Sequence, residues 1–126
     1  MYSHNMVGSN DLARSQTFYD AIFTAVGAEP GAAEPARHRV RYSHKGGVFI
    51  VLKPINGEPA TVANGSTVGF VMDSPEQCHA WHDAGVAAGG TTCEDPPGLR
   101  DFSTRKLYLA YLRDPDGHKL CALCPM

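Results

Sequence analysis

The side chains that could do chemistry are few and scattered. They are an early histidine, His4, a mid-chain pair, His79 and His82, and four cysteines, Cys78, Cys93, Cys121 and Cys124. An imidazole suits zinc, manganese, iron or nickel, and a thiolate can hold zinc. Cys121 and Cys124 look like a redox pair, yet an offset of three in a strand points their side chains to opposite faces. A thioredoxin-like pair would instead begin a helix with a depressed pKa. His79 and His82, three apart on a helix, make metal binding conceivable. The simpler reading puts His79 in solvent near Asp83, and His82 beside Trp81 or facing water. Glu94 and Asp95 are acidic, but nothing in their spacing aims them at a site. Arg100, Thr104, Arg105 and Lys106 could meet an anionic ligand or form a solvated loop face. Tyr108 and Tyr111 are three apart in a strand, so one should line a pocket wall and the other face a helix.

Elements must position these groups. With 126 residues, 43% hydrophobic and 19% charged, the chain can bury one ordinary core. Its 13 Gly and 9 Pro imply many turns and favour an α+β fold over a helical bundle. Eleven basic and thirteen acidic residues leave a charge of -2, with no basic field for nucleic acid. Arg37, Arg39 and Arg41 recur at period two, the wet face of a strand. No run reaches the roughly eighteen apolar residues of a membrane span, and no basic flank precedes an apolar start. We therefore expect a cytoplasmic protein with reduced thiols and neither nucleic-acid nor membrane partners.

His4 to Ser9 reads as a short strand. Asn10 or Asp11 caps a helix to about Val26, closed by Gly27, with Leu12, Ser15, Phe18, Tyr19, Ile22, Phe23 and Val26 on its packed side. Strands follow around Val40 to Tyr42 and over Val48 to Leu52, joined by a turn at His44 to Gly47. The pattern then repeats. Thr67 to Met72 is a strand, and Ser74, Pro75 and Gln77 begin a helix that reaches about Ala88, packed through Cys78, Trp81, Gly85 and Ala88. Leu107 to Leu112 and Leu120 to Cys124 form a hairpin around Asp114-Pro115-Asp116-Gly117. The same offset, 62 residues, separates Asp11 from Asp73 and Gly27 from Gly89.

In this order, several stretches carry a resemblance: His4 with Asp11-Leu12 and Phe18-Tyr19; Phe49 to Pro54; Asn56-Gly57 through Asn64-Gly65; His82 with Ala87 to Gly90; and Tyr111-Leu-Arg-Asp-Pro-Asp-Gly-His-Lys-Leu120. The chain resembles the vicinal-oxygen-chelate superfamily, especially its short glyoxalase/bleomycin-resistance-like members. The resemblance implies one domain of two βαβββ modules, about 1–57 and 66–126, whose sheets form a cup over a small molecule, with a helix on each sheet's convex side. It also implies a homodimer, with the cup built in one chain or across two.

Many relatives hold a divalent metal in the cup. The resemblance places ligands at His4, at or beside Thr67 where relatives carry His, and at Cys121 where they carry Glu. Thr is a poor ligand, and losing Glu removes both charge and the usual base. We expect no bound metal or other cofactor; if a metal binds, His4 and Cys121 are its candidates. The ligand-pocket candidates are His4, Thr67, Tyr108, Tyr111, Cys121, Arg100 and Arg105. The expected function is small-molecule binding with a degenerate metal site. The alternatives are a metal-dependent lyase, thiol transferase or dioxygenase, and a non-catalytic dimeric interaction protein.

Overall fold

A computed structural model describes all 126 residues. The first half runs β1 (Asn5–Gly8), α1 (Leu12–Thr24), β2 (Ala32–Glu34), β3 (Arg39–His44) and β4 (Gly47–Leu52), with sheet order β1-β4-β3-β2. The second runs β5 (Val68–Val71), α2 (Pro75–Ala87), β6 (Thr91–Thr92), β7 (Gly98–Asp101), β8 (Lys106–Arg113) and β9 (Lys119–Pro125), ordered β5-β9-β8-β6 with β7 also on β8. In each half the opening strand lies parallel to the last, and the remaining pairs are antiparallel. This is the α+β repeat of βαβββ type.

The caps form where the sequence places them. Asp11 accepts from the Arg14 amide at 3.0 Å, and Ser74 accepts from the Gln77 amide at 3.2 Å. Helix α1 ends at Thr24, two residues short of the expected Val26. The β3–β4 hairpin turns on Lys45 and Gly46, both at positive φ (49° and 79°), which matches the right-handed twist of the strands. Two expectations are corrected. Arg37 lies in a one-turn 3-10 segment, Pro35–Arg37, so only Arg39 and Arg41 share a strand face. The loop after α2 is itself partly strand: β6 and β7 divide one edge of β8, because Pro96 and Pro97 lack the amides a continuous ladder needs.

Helix-facing residues of both sheets pack with α1 and α2 into one core of 17 buried residues. Phe18, Tyr19, Ile22 and Phe23 come from α1, Cys78 and Trp81 from α2, Phe49 and Val51 from β4, and Leu112 and Leu120 from β8 and β9. Alternation sends Ile50 to the opposite face. The halves therefore meet through their helices and this shared core. Gly85 brings α2 onto α1: a Cβ there would stand 2.3 Å from Leu112 Cδ1, 3.1 Å from Ile22 Cγ2 and 3.3 Å from Phe18 Cε2.

The Asp114–Gly117 turn seals the other end of the junction. Asp114 is buried; its Oδ1 accepts the Asp116 and His118 amides, both at 2.9 Å, and its Oδ2 accepts the Tyr19 hydroxyl at 2.6 Å. Asp116 accepts Arg14 Nη2 at 2.8 Å and the Asn10 amide at 3.2 Å. His118 Nε2 lies 2.7 Å from the Gly8 carbonyl.

Candidate functional site

The helix-free face of the second sheet gathers most of the chemistry. Period-two alternation on β8 and β9 turns Leu107, Leu109, Cys121, Tyr111 and Leu123 away from the helices, where they form a separate apolar cluster. Cys121 lies opposite Tyr111 on β8 and Gly69 on β5. A Cβ on Gly69 would meet nothing within 4 Å, so the space over Gly69 is open, although Cys121 itself is buried.

Polar groups rim this floor. The Lys119 ammonium lies 5.0 Å from the centre of the Tyr111 ring and pairs with the Glu94 carboxylate. Glu94 sits at φ 56°, in the bend that divides β6 from β7. Burial pushes the Cys121 thiol up, against the opposing pull of the neighbouring Tyr111 hydroxyl, while Sγ donates to the Ala122 carbonyl at 3.6 Å. Burial also raises the Tyr111 hydroxyl, with the adjoining thiol adding to the effect. Cys121 is thus a protonated, weakly polar group near neutrality, unlike an activated nucleophile, whose pKa is depressed. Arg100 reaches the same neighbourhood, but its guanidinium donates to the carbonyls of Gly98 at 3.0 Å, Asp95 at 3.1 Å and Pro96 at 3.1 Å. It closes its own loop.

Of the predicted positions, Cys121, Tyr111 and Arg100 come together here. Tyr108 faces α2, where its hydroxyl is 2.7 Å from His79 Nε2. That contact corrects the expected partner of His79: the histidine beside Asp83 is His82, 3.9 Å away. Burial lowers the pKa of His82. Arg105 is exposed in the β7–β8 turn, and Thr67 is exposed just before β5. His4 is exposed ahead of β1, with Nδ1 2.8 Å from Ser3 Oγ. It borders a shallow crevice of about 270 Å³ with Arg39 and Arg41 over Met6, Val48 and Ile50. A second crevice that His4 borders runs along the junction between the halves.

Sequence reasoning missed Lys119 and set Glu94 aside. Lys119 was findable, being two residues before Cys121 and so on the same strand face. Glu94 was not, because a left-handed bend sends its carboxylate to Lys119.

The donor set does not fit the metal that the resemblance implies. No three His, Cys, Asp or Glu side chains gather closely enough to hold an ion. Thr67 is neutral, Glu94 is engaged by Lys119, and Cys121 is held protonated by burial.

The family model of the Glyoxalase/Bleomycin resistance protein/Dioxygenase superfamily matches residues 2–122. The chain belongs to this superfamily. A glyoxalase/bleomycin resistance protein from Albidiferax ferrireducens T118 is 57% identical, with a TM-score of 0.93 over 100% of this chain and 99% of that one. A hypothetical protein from S. aureus is 18% identical, TM-score 0.73, over 98% and 93% of the two chains. A fosfomycin resistance protein from Mesorhizobium loti is 13% identical, TM-score 0.69, over 100% and 92%. The last two share the fold alone. No curated protein matches. Within this superfamily chain, no helix is long and apolar enough to cross a membrane.

Proposed function

We propose that this glyoxalase-superfamily chain binds a small, partly apolar organic molecule on the helix-free face of β8 and β9, without a coordinated metal. One observation carries the reading: Leu107, Leu109 and Leu123 make an apolar floor, over which the Cys121 thiol, the Tyr111 hydroxyl and the Lys119–Glu94 pair converge. Apolar walls with a few placed polar groups are the usual build of a ligand site. Tyr111 orients a ligand by its hydroxyl and packs it with its ring, and Cys121 takes the place of the carboxylate that the family pattern puts there. Neither residue is activated as a base or nucleophile, so the chemistry this face supports is binding.

Two measurements test it. A fragment screen read by protein NMR should give hits that shift Leu107, Leu109 and Leu123 and weaken about tenfold, roughly 1.4 kcal/mol, in Tyr111→Ala. Hits that leave those resonances unmoved would remove the site. Elemental analysis of protein purified without chelator or affinity metal should find no stoichiometric transition metal. About one equivalent of zinc, manganese, iron or nickel, lost in both His4→Ala and Cys121→Ser, would favour a metal-dependent lyase, transferase or dioxygenase instead.

A further inference from the structure

The junction between the halves holds a crevice of about 210 Å³ whose lining includes no residue of β8 or β9, so it is separate from the floor described above. It runs from Tyr2–Asn5, leading into β1, and Val68–Met72, along β5, inward to Phe23, Tyr42 and Phe49. Those three rings are buried. Phe70 is only partly buried, and it stands edge-on to Phe23 (5.1 Å between centroids, 89°) and to Phe49 (5.3 Å, 86°). A further ring laid against Phe70 would extend the same edge-to-face arrangement. Size agrees: an apolar cavity of about 150 Å³ admits benzene, so this one has room for a ring and one small substituent.

Charge decides what kind of ring the crevice suits. With histidines neutral at pH 7, Lys45 is the only charged side chain in the lining. Its ammonium is already paired with the Asp73 carboxylate, which it reaches across the junction. An anion in the crevice would have to compete with Asp73 for that partner. A cation would find no carboxylate in the lining and a like charge at Lys45. Either ion would give up hydration without gaining a free counter-ion. An uncharged ring keeps clear of that loss and gains the burial of its apolar surface. Asn5 and Ser43, both exposed members of the lining, offer uncharged hydrogen-bonding groups at the open end. We infer that this crevice is a second ligand site, for a small uncharged aromatic molecule whose ring lies against Phe70 and whose polar end points toward Asn5 and Ser43.

Phenol is the probe, since a phenolic hydroxyl stays uncharged below about pH 10. Titrated into the full chain at about pH 7.5 and followed by NMR, it should bind with a Kd on the order of a millimolar. Benzoate and benzylamine, its anionic and cationic counterparts, should each bind at least about tenfold more weakly. In the unaltered protein, nuclear Overhauser contacts should join the phenol ring to the methyl groups of Val68 and Met72, both of which line the crevice. Ala28 is also in the lining, and Ala28→Phe should fill the space and abolish binding. No saturable binding of phenol to the unaltered protein would overturn the inference, as would either charged ring binding as tightly as phenol. Undiminished binding to a folded Ala28→Phe variant would overturn it too. So would contacts to Leu107 and Leu109 in place of Val68 and Met72, which would put the ligand on the β8–β9 floor. Because the two sites are read by different resonances, either can fail alone.

Discussion

The carboxylate of Asp114 shows how a motif residue can be structural. In the sequence it belongs to a hairpin turn; in the fold it is buried, with both oxygens engaged, and its Oδ2 accepts only the Tyr19 hydroxyl. Tyr19→Phe should therefore leave a buried acceptor unpaired and cost about 1–3 kcal/mol in urea unfolding. Burial first, and Asp114 second, hold the Tyr19 pKa well above its ordinary value. The folded state thus keeps a proton that the unfolded chain releases near pH 10, so this contribution is complete below about pH 10 and declines above it. Unfolding free energies measured from pH 8 to 11 should fall more steeply for the parent than for Tyr19→Phe; parallel curves would refute the coupling. Asp114 was legible as a turn former. Its tie to Tyr19, 95 residues earlier, was not, since no local pattern marks that contact.

At the scale of elements, the decisive approach is α2 on α1. Helix propensity alone favours Gly85→Ala by about 1 kcal/mol. The added methyl would meet Leu112 Cδ1 at 2.3 Å, however, and must displace a fully buried side chain. Overpacking of this kind costs about 1–3 kcal/mol, so we expect net destabilisation, read as a lower denaturation midpoint at unchanged m-value. A stabilised variant would mean that the helices separate freely. Both helices were legible from caps and apolar spacing, because those signals lie within one element. The division of the second module's edge into β6 and β7 was not, because it depends on how chain interrupted by Pro96 and Pro97 finds β8 again.

For the whole molecule, the helix-free faces expose Met6 (40%) and Val71 (58%), one from each half. The edge strands β2 and β7 also lack an outer partner in the chain. Exposed apolar residues and open edges are features that a symmetric second copy covers. We expect a homodimer: sedimentation at micromolar concentration should give twice the 13.5 kDa chain mass, and a clean monomer would remove the expectation.

By itself the sequence determined the two-module repeat, the helix caps, the hairpin turns and the opposite facing of Tyr108 and Tyr111. Each of these follows from periodicity or turn chemistry acting over a few residues. Tertiary structure alone decided which tyrosine faces the helix and that Glu94 reaches Lys119. It alone decided that Phe23, Tyr42, Phe49 and Phe70, drawn from both halves, line one crevice. Such features depend on where separate elements come to rest against one another, and that placement is set by the packing of one shared core rather than by any local run of residues.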